Sequence, residues 1–92
     1  MMAGSVLAFD MPPLAVKNNC IACHAIDKRV VGPAWREVAQ RYKGNPGAKA
    51  YLSAKILNGG HGAWGAMPMP GFPKLSPADA GTLVDFVLGL AK

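Results

Sequence analysis

Residues 17–24 read Lys17-Asn18-Asn19-Cys20-Ile21-Ala22-Cys23-His24. Cys20 and Cys23 are the only two cysteines of the 92-residue chain, and a histidine follows the second directly. A disulfide closed over two residues is strained. A thioredoxin-like redox pair needs a strand before the motif and a βαβ setting, and neither pattern is present. A structural zinc site needs two more Cys or His ligands at a matching spacing, and only His61 remains. The form C-x-x-C-H instead attaches a c-type haem. The two thiols add across the haem vinyl groups as thioethers, and two intervening residues let one short helical turn span both. The next residue, His24, is then held where its imidazole can ligate iron.

The composition suits a domain that requires such a staple. Ninety-two residues make one domain with one core. The chain is 51% hydrophobic and 16% charged, a globular balance. A domain this small buries a modest share of its surface and needs a disulfide, a metal or a large cofactor. The net charge of +5 comes from ten Lys/Arg against five Asp/Glu. These basic residues are dispersed, with no arginine-rich arm, so nucleic acid is not an expected partner. Two haem propionates would reduce the positive charge, and the remainder suits steering towards an acidic protein surface. No segment approaches the roughly eighteen apolar residues of a membrane-spanning helix. Residues 1–9, MMAGSVLAF, are apolar but short. They read as a tail, whether the stub of an export signal, an expression scar or a linker remnant, and the domain is taken as residues 10–92.

Four helical stretches emerge between Gly/Pro-rich segments, and nothing alternates as a strand does. The first runs up to the cysteines, with Asp10 as its expected N-cap and Pro12 and Pro13 in its first turn. The second covers about Ala34 to Tyr42, after Gly32-Pro33. The third begins near Pro46 and ends at Asn58-Gly59-Gly60, with Tyr51, Leu52, Ile56 and Leu57 as its apolar stripe. The fourth has the fullest signature. Ser76 caps it, Pro77 takes the first helical position and Asp79 lies in the dipole-favoured first turn. Ala80, Leu83, Val84, Val87, Leu88 and Ala91 then recur at three- and four-residue steps, opposite Thr82, Asp85 and Gly89. Gly81 weakens this helix slightly.

Between the third and fourth helices lies GGHGAWGAMPMPGFPKL, residues 59–75. Its glycines and prolines forbid regular structure, yet it carries a Trp, two Met and a Phe. An irregular loop with that much apolar surface must cover something, and a planar apolar cofactor suits it better than so small a core. The same loop holds the candidates for a second axial ligand: Met67, Met69 and His61. Most methionines are core filler. Met69, however, stands between Pro68 and Pro70, and two prolines restrict the backbone in a way that suits a ligand held in place. Met67 reads as packing against the ring, and His61, among glycines, as solvent-exposed.

From about residue 11 to 92 the chain resembles the short bacterial class I cytochromes c, which are monohaem periplasmic electron carriers. The resemblance rests on Lys17 to His24, on Val31-Gly32-Pro33-Ala34, and on Trp64-Gly65 followed by Pro68-Met69-Pro70. The haem motif alone is widely shared, whereas the combination of VGPA with WGxxPMP is far more specific. The resemblance implies an all-α fold of about four short helices wrapped round one covalent haem c. It makes His24 the proximal iron ligand and Met69 the distal one. Pro33 would offer its carbonyl to the other imidazole nitrogen of His24, and Trp64 its indole N–H to a propionate. The first and last helices would cross, setting Phe86 against Ala15. The sequence departs from that pattern at Phe72, where the short members commonly have an Asn bonding near the methionine sulfur, and residues 71–75 look about one residue longer.

The expected function is single-electron transfer rather than catalysis, between periplasmic or membrane redox enzymes. An alternative is a haem domain or subunit of a larger redox enzyme, and a more distant one is an open-iron, ligand-binding or peroxidatic haem protein. Docking partners would be redox proteins with acidic surfaces meeting the exposed haem edge, near Lys17 and Lys28. Haem attachment by this motif implies maturation outside the cytoplasm, hence a periplasmic location.

Overall fold

A computed structural model of the chain describes residues 11–62 and 68–91. It contains helices α1 (Pro13–Lys17), α2 (Trp35–Arg41), α3 (Ala48–Asn58) and α4 (Pro77–Leu88), with a 3-10 turn at Cys20–Ala22 after α1. Among the described residues there is no strand, only isolated bridges pairing His24 with Arg29 and Gly60 with Met69. The all-α expectation holds.

The helix read most fully from sequence, α4, is also the organising element. The Ser76 hydroxyl accepts from the Asp79 N–H at 3.0 Å, satisfying one of the donors every helix start leaves unpaired. Ala80, Leu83, Val84 and Val87 are buried, while Thr82 and Asp85 face water. The helix packs on α3 most extensively, then on α2 and on α1. Gly81 is buried against α3: a Cβ there would meet Lys49 Cε at 3.4 Å. Lys49 Nζ also pairs with Asp85 across the two helices at 3.0 Å.

The other helices are short and depend on this packing. α1 spans five residues and begins at Pro13 with Pro12 in the cap position, so Asp10 is not its N-cap. Asp10 itself lies outside the described residues. Two consecutive prolines hold the entering chain extended and delay the first turn. Ala15 is wholly buried, in the cluster formed by Met11, Ile26, Trp35, Val38, Leu83 and Val87, and Phe86 packs against that cluster. α2 starts with half of a capping box: Glu37 Oε1 accepts from the Ala34 N–H at 3.0 Å, and Ala34 has no oxygen to complete it. α3 begins at Ala48 rather than near Pro46, because Asn45 Oδ1 takes the Gly47 N–H at 2.9 Å and holds a turn there. Leu52 and Ile56 of α3 pack on the core, but Tyr51 is 43% exposed. Its ring instead pairs with Tyr42, centroids 5.8 Å apart.

Arg36 joins the two ends of the domain. Its guanidinium pairs with Asp27, just past the cysteine motif, and donates to the Leu90 carbonyl at 3.1 Å.

Candidate haem site

The cysteine motif sits on a turn built by local chemistry. The side-chain amide of Asn18 donates to the Leu14 carbonyl at 2.9 Å and closes α1. Asn19 follows in the left-handed region, φ 61°, a conformation asparagine tolerates better than most residues. The chain then tightens: the N–H groups of Cys23 and His24 both donate to the Cys20 carbonyl, at 3.1 and 3.0 Å. Both thiols are free and half-buried on this turn. Burial pushes the Cys20 thiol pKa up, its backbone hydrogen bond opposes this, and the neighbouring Cys23 adds to the rise. Such a thiol stays protonated until something consumes it.

His24 leaves the end of the turn and is fixed by the returning chain. Val31 and Gly32 both donate to the Cys23 carbonyl, at 3.2 and 2.8 Å, and Trp35 N–H donates to the Ala25 carbonyl at 2.9 Å. This brings the buried Pro33 carbonyl to 2.8 Å from His24 Nδ1. A carbonyl can only accept, so Nδ1 carries the proton and Nε2 keeps its lone pair for a metal. Burial lowers the imidazole pKa, and the Pro33 carbonyl partly opposes that. Burial thus favours the neutral ring and the Pro33 carbonyl fixes its tautomer, the form that binds iron.

His24 opens onto a cleft of about 1070 Å³, its open mouth included. Its walls are Trp35 and Val38 of α2, Leu52 and Ile56 of α3, Val84 and Val87 of α4, and Met69 between Pro68 and Pro70. Cys23, Pro33 and His61 also reach it, while Cys20 is one turn behind, packed on the core. Trp64 and Met67, which the sequence also points to, lie outside the described residues. Among the described residues no three His, Cys, Asp or Glu side chains converge. The donor set is therefore two thiols one turn apart, one neutral imidazole and one thioether, bordering a large apolar space. That set suits a porphyrin with two attachment points and two axial ligands.

Trp35, Tyr42 and Lys55 are among the lining residues that have no counterpart among the site residues read from the sequence. Trp35, expected only as part of a helix, stands 5.8 Å from the His24 ring and edge-on to Phe86 at 5.9 Å. Tyr42 and Lys55 border the mouth. Burial and the neighbouring Tyr51 push the Tyr42 phenol up, and Arg41 partly opposes them. The one signal available was that Lys55 falls within the apolar stripe of α3, beside Ile56.

Residues 13–91 match the family model described as Cytochrome c. The chain is 48% identical over 77 residues to cytochrome c-552 of Nitrosomonas europaea, covering 84% of this chain and 75% of that protein. It is 43% identical over 89 residues to cytochrome c-551 of Pseudomonas aeruginosa, covering 96% of this chain and 84% of the other. The crystal structure of the Nitrosomonas europaea cytochrome c552 superposes with a TM-score of 0.81, over 84% of this chain and 95% of that one.

Proposed function

This chain belongs to the cytochrome c family and carries one covalently attached haem c, and from that premise we propose that it is a single-electron carrier with its iron held by His24 and Met69. The observation that carries the reading is that His24 and Met69 border the same apolar cleft, at the end of the turn bearing Cys20 and Cys23. In this reading residues 10–92 form the haem domain and residues 1–9 stand outside it.

The bound haem supplies a one-electron iron couple. The protein's part is to tune and shield it. Pro33 holds the His24 proton at Nδ1, which keeps Nε2 a good donor and the ring in one orientation. A thioether opposite an imidazole, in an apolar pocket, disfavours the extra positive charge of ferric iron and raises the potential. With His24 and Met69 both holding the iron, no position would be left for other ligands and reorganisation on electron transfer would stay small. Trp64 is proposed as the propionate partner.

Electrons would pass at the edge near the attachment turn. Val16, Ile21, Val30 and Val31 are large apolar side chains between 39% and 51% exposed. Backbone bonds tie two of them to the motif region, Asn19 N–H to Val16 O at 3.1 Å and Val31 N–H to Cys23 O at 3.2 Å. Lys17 and Lys28 are exposed beside them. Exposed apolar side chains near the motif, with cations close by in the chain, fit a redox partner with an acidic docking surface. We place the protein in the periplasm, where thioether attachment is completed; no described helix is long and apolar enough to cross a membrane.

The ferric spectrum tests the ligation. Methionine ligation gives a weak near-infrared sulfur-to-iron band, and Met69→Ala should abolish it and open the ferrous iron to carbon monoxide. A wild-type protein that binds carbon monoxide rapidly and lacks the band would instead be a ligand-binding haem protein.

A further inference from the structure

The segment carrying Met69 is fastened to the end of α3 by main chain. The Met69 N–H donates to the Gly60 carbonyl at 2.7 Å, and the Gly60 N–H returns to the Met69 carbonyl at 3.1 Å. Three residues on, the Phe72 N–H is shared between the carbonyls of Ile56 and Leu57, at 2.9 and 3.1 Å. Gly59 N–H takes the Lys55 carbonyl at 2.8 Å. The Ile56 and Leu57 carbonyls belong to the last turn of α3 and have no partner within the helix, whereas the Gly59 bond to Lys55 is the helix's own closing bond. The strap therefore completes the helix, and the helix in turn sets where the strap lies.

Two glycines allow that closeness. Gly59 has φ 76°, and a Cβ on it would lie 2.5 Å from the Met69 carbonyl oxygen, 2.8 Å from the Gly71 nitrogen and 3.1 Å from the Pro70 carbonyl carbon. From the other side, a Cβ on Gly71 would lie 2.7 Å from the Asn58 carbonyl carbon and 2.8 Å from the Leu57 oxygen. Every one of these neighbours is a backbone atom, and none can swing aside as a side-chain end can. A methyl group at either position must move the strap outward by about 1 Å to reach ordinary contact distance. Metal–ligand distances tolerate only about 0.2 Å.

We propose that Gly59 and Gly71 are the positioning residues for the Met69 sulfur, their contact setting how far the strap stands from α3 and so whether the thioether reaches iron. The inference rests on Met69 being the distal ligand. Neither glycine touches the haem in this account; both act through the backbone of the strap.

The test uses holoprotein with Gly59→Ala, Gly71→Ala and, as a matched control, Gly44→Ala. Gly44 has φ 77°, like Gly59, but a Cβ there meets nothing within 4 Å. It carries the same left-handed backbone penalty without the contact. Gly71 shows the reverse, contact without a positive φ. Expected in Gly59→Ala and Gly71→Ala is full covalent haem, loss of most of the sulfur-to-iron band, and carbon monoxide binding to ferrous protein faster by about tenfold or more, as the sulfur-free population rises. Gly44→Ala should lower the melting temperature and leave band and binding rate as in wild type. Unchanged band and rate in both strap variants overturns the proposal. So does an equal loss in Gly44→Ala, which would make general destabilisation the cause. Should the strap variants not accumulate, wild-type hydrogen exchange decides. Displacing the sulfur with carbon monoxide should speed exchange at the Gly60, Met69 and Phe72 amides but not in α4, and unchanged exchange there overturns the proposal. A wild-type spectrum without the band, unaltered by Met69→Ala, sinks the ligand assignment itself and this inference with it.

Discussion

Gly32 lies against the imidazole of His24: a Cβ at residue 32 would stand 2.6 Å from Cε1 and 3.1 Å from each ring nitrogen. The ring is thus held by a hydrogen bond from Nδ1 to Pro33 and by the bare backbone of the residue before it. Gly32→Ala must tilt the imidazole and stretch that bond. Overpacking of this kind costs about 1–3 kcal/mol. The expected result is a lower urea midpoint together with a shifted reduction potential in voltammetry. A variant that loses stability at unchanged potential would show that the ring's orientation does not tune the iron.

His24 also predicts a direction for the pH dependence. Its folded-state pKa lies below the ordinary 6.5, chiefly through burial. In acid the unfolded imidazole takes up a proton before the folded one does, so the unfolded state is favoured as pH falls. Iron on Nε2 would hold the ring neutral further, so this stability is present in full above about pH 6.5 and is lost as pH drops towards the lower folded value. Denaturation midpoints between pH 7 and pH 5 should decline, and a midpoint rising over that range would contradict the burial of His24.

Among the described residues Leu83 and Val84 are the largest fully buried side chains, in the middle of α4 where it meets the other helices. Leu83→Ala should cost about 2–5 kcal/mol, a large share of the ~5–15 kcal/mol a small domain has. Ser76→Ala, which removes only the cap, should cost about 1 kcal/mol. Paired urea titrations would reveal the order, and a reversed ranking would mean that α4 is not held chiefly by its buried face.

Removing the cofactor should unfold the chain. The cleft walls Val38, Leu52, Ile56, Val84 and Val87 come from three helices that meet around the space a haem would fill. Without it, those side chains face water and α1 and α2 are too short to persist alone. Cys20→Ala with Cys23→Ala is expected to abolish covalent haem and to leave little far-UV helical signal.

Docking should weaken with salt. The net charge is +5 before the propionates, and Lys17 and Lys28 are exposed beside the attachment turn. Raising ionic strength from about 0.01 to 0.15 M shortens the screening length from ~30 to ~8 Å. The second-order rate with an acidic partner should fall accordingly, and Lys17→Glu or Lys28→Glu should slow it further at low salt. A salt-independent rate would remove the electrostatic part of the docking reading.

Much of this was readable from neighbours in the chain. Ser76, Pro77 and Asp79 mark the start of α4 because capping acts within one turn, and the steps from Ala80 to Val87 mark its buried face. The expected bond between His24 and Pro33 is present at 2.8 Å. Legibility failed where a local signal met a competitor. Asp10 looked like a cap, but two prolines deferred the first turn to Pro13. Tyr51 lines the cleft with Leu52 and Ile56 as its place in the stripe implies, yet it stays 43% exposed beside Tyr42, with Lys55 Nζ 5.3 Å over its ring.

By itself the sequence determined that two thiols and an imidazole share one turn, and that a capped amphipathic helix closes the chain. Both depend on interactions reaching no further than four residues, which spacing alone encodes. Only the tertiary structure decided that Trp35 stands beside His24, that Gly32 lies on its ring and that Gly59 and Gly71 meet beneath the Met69 strap. Those are contacts between segments whose separation is set by how helices pack, and a difference of an ångström there leaves no trace in composition or periodicity.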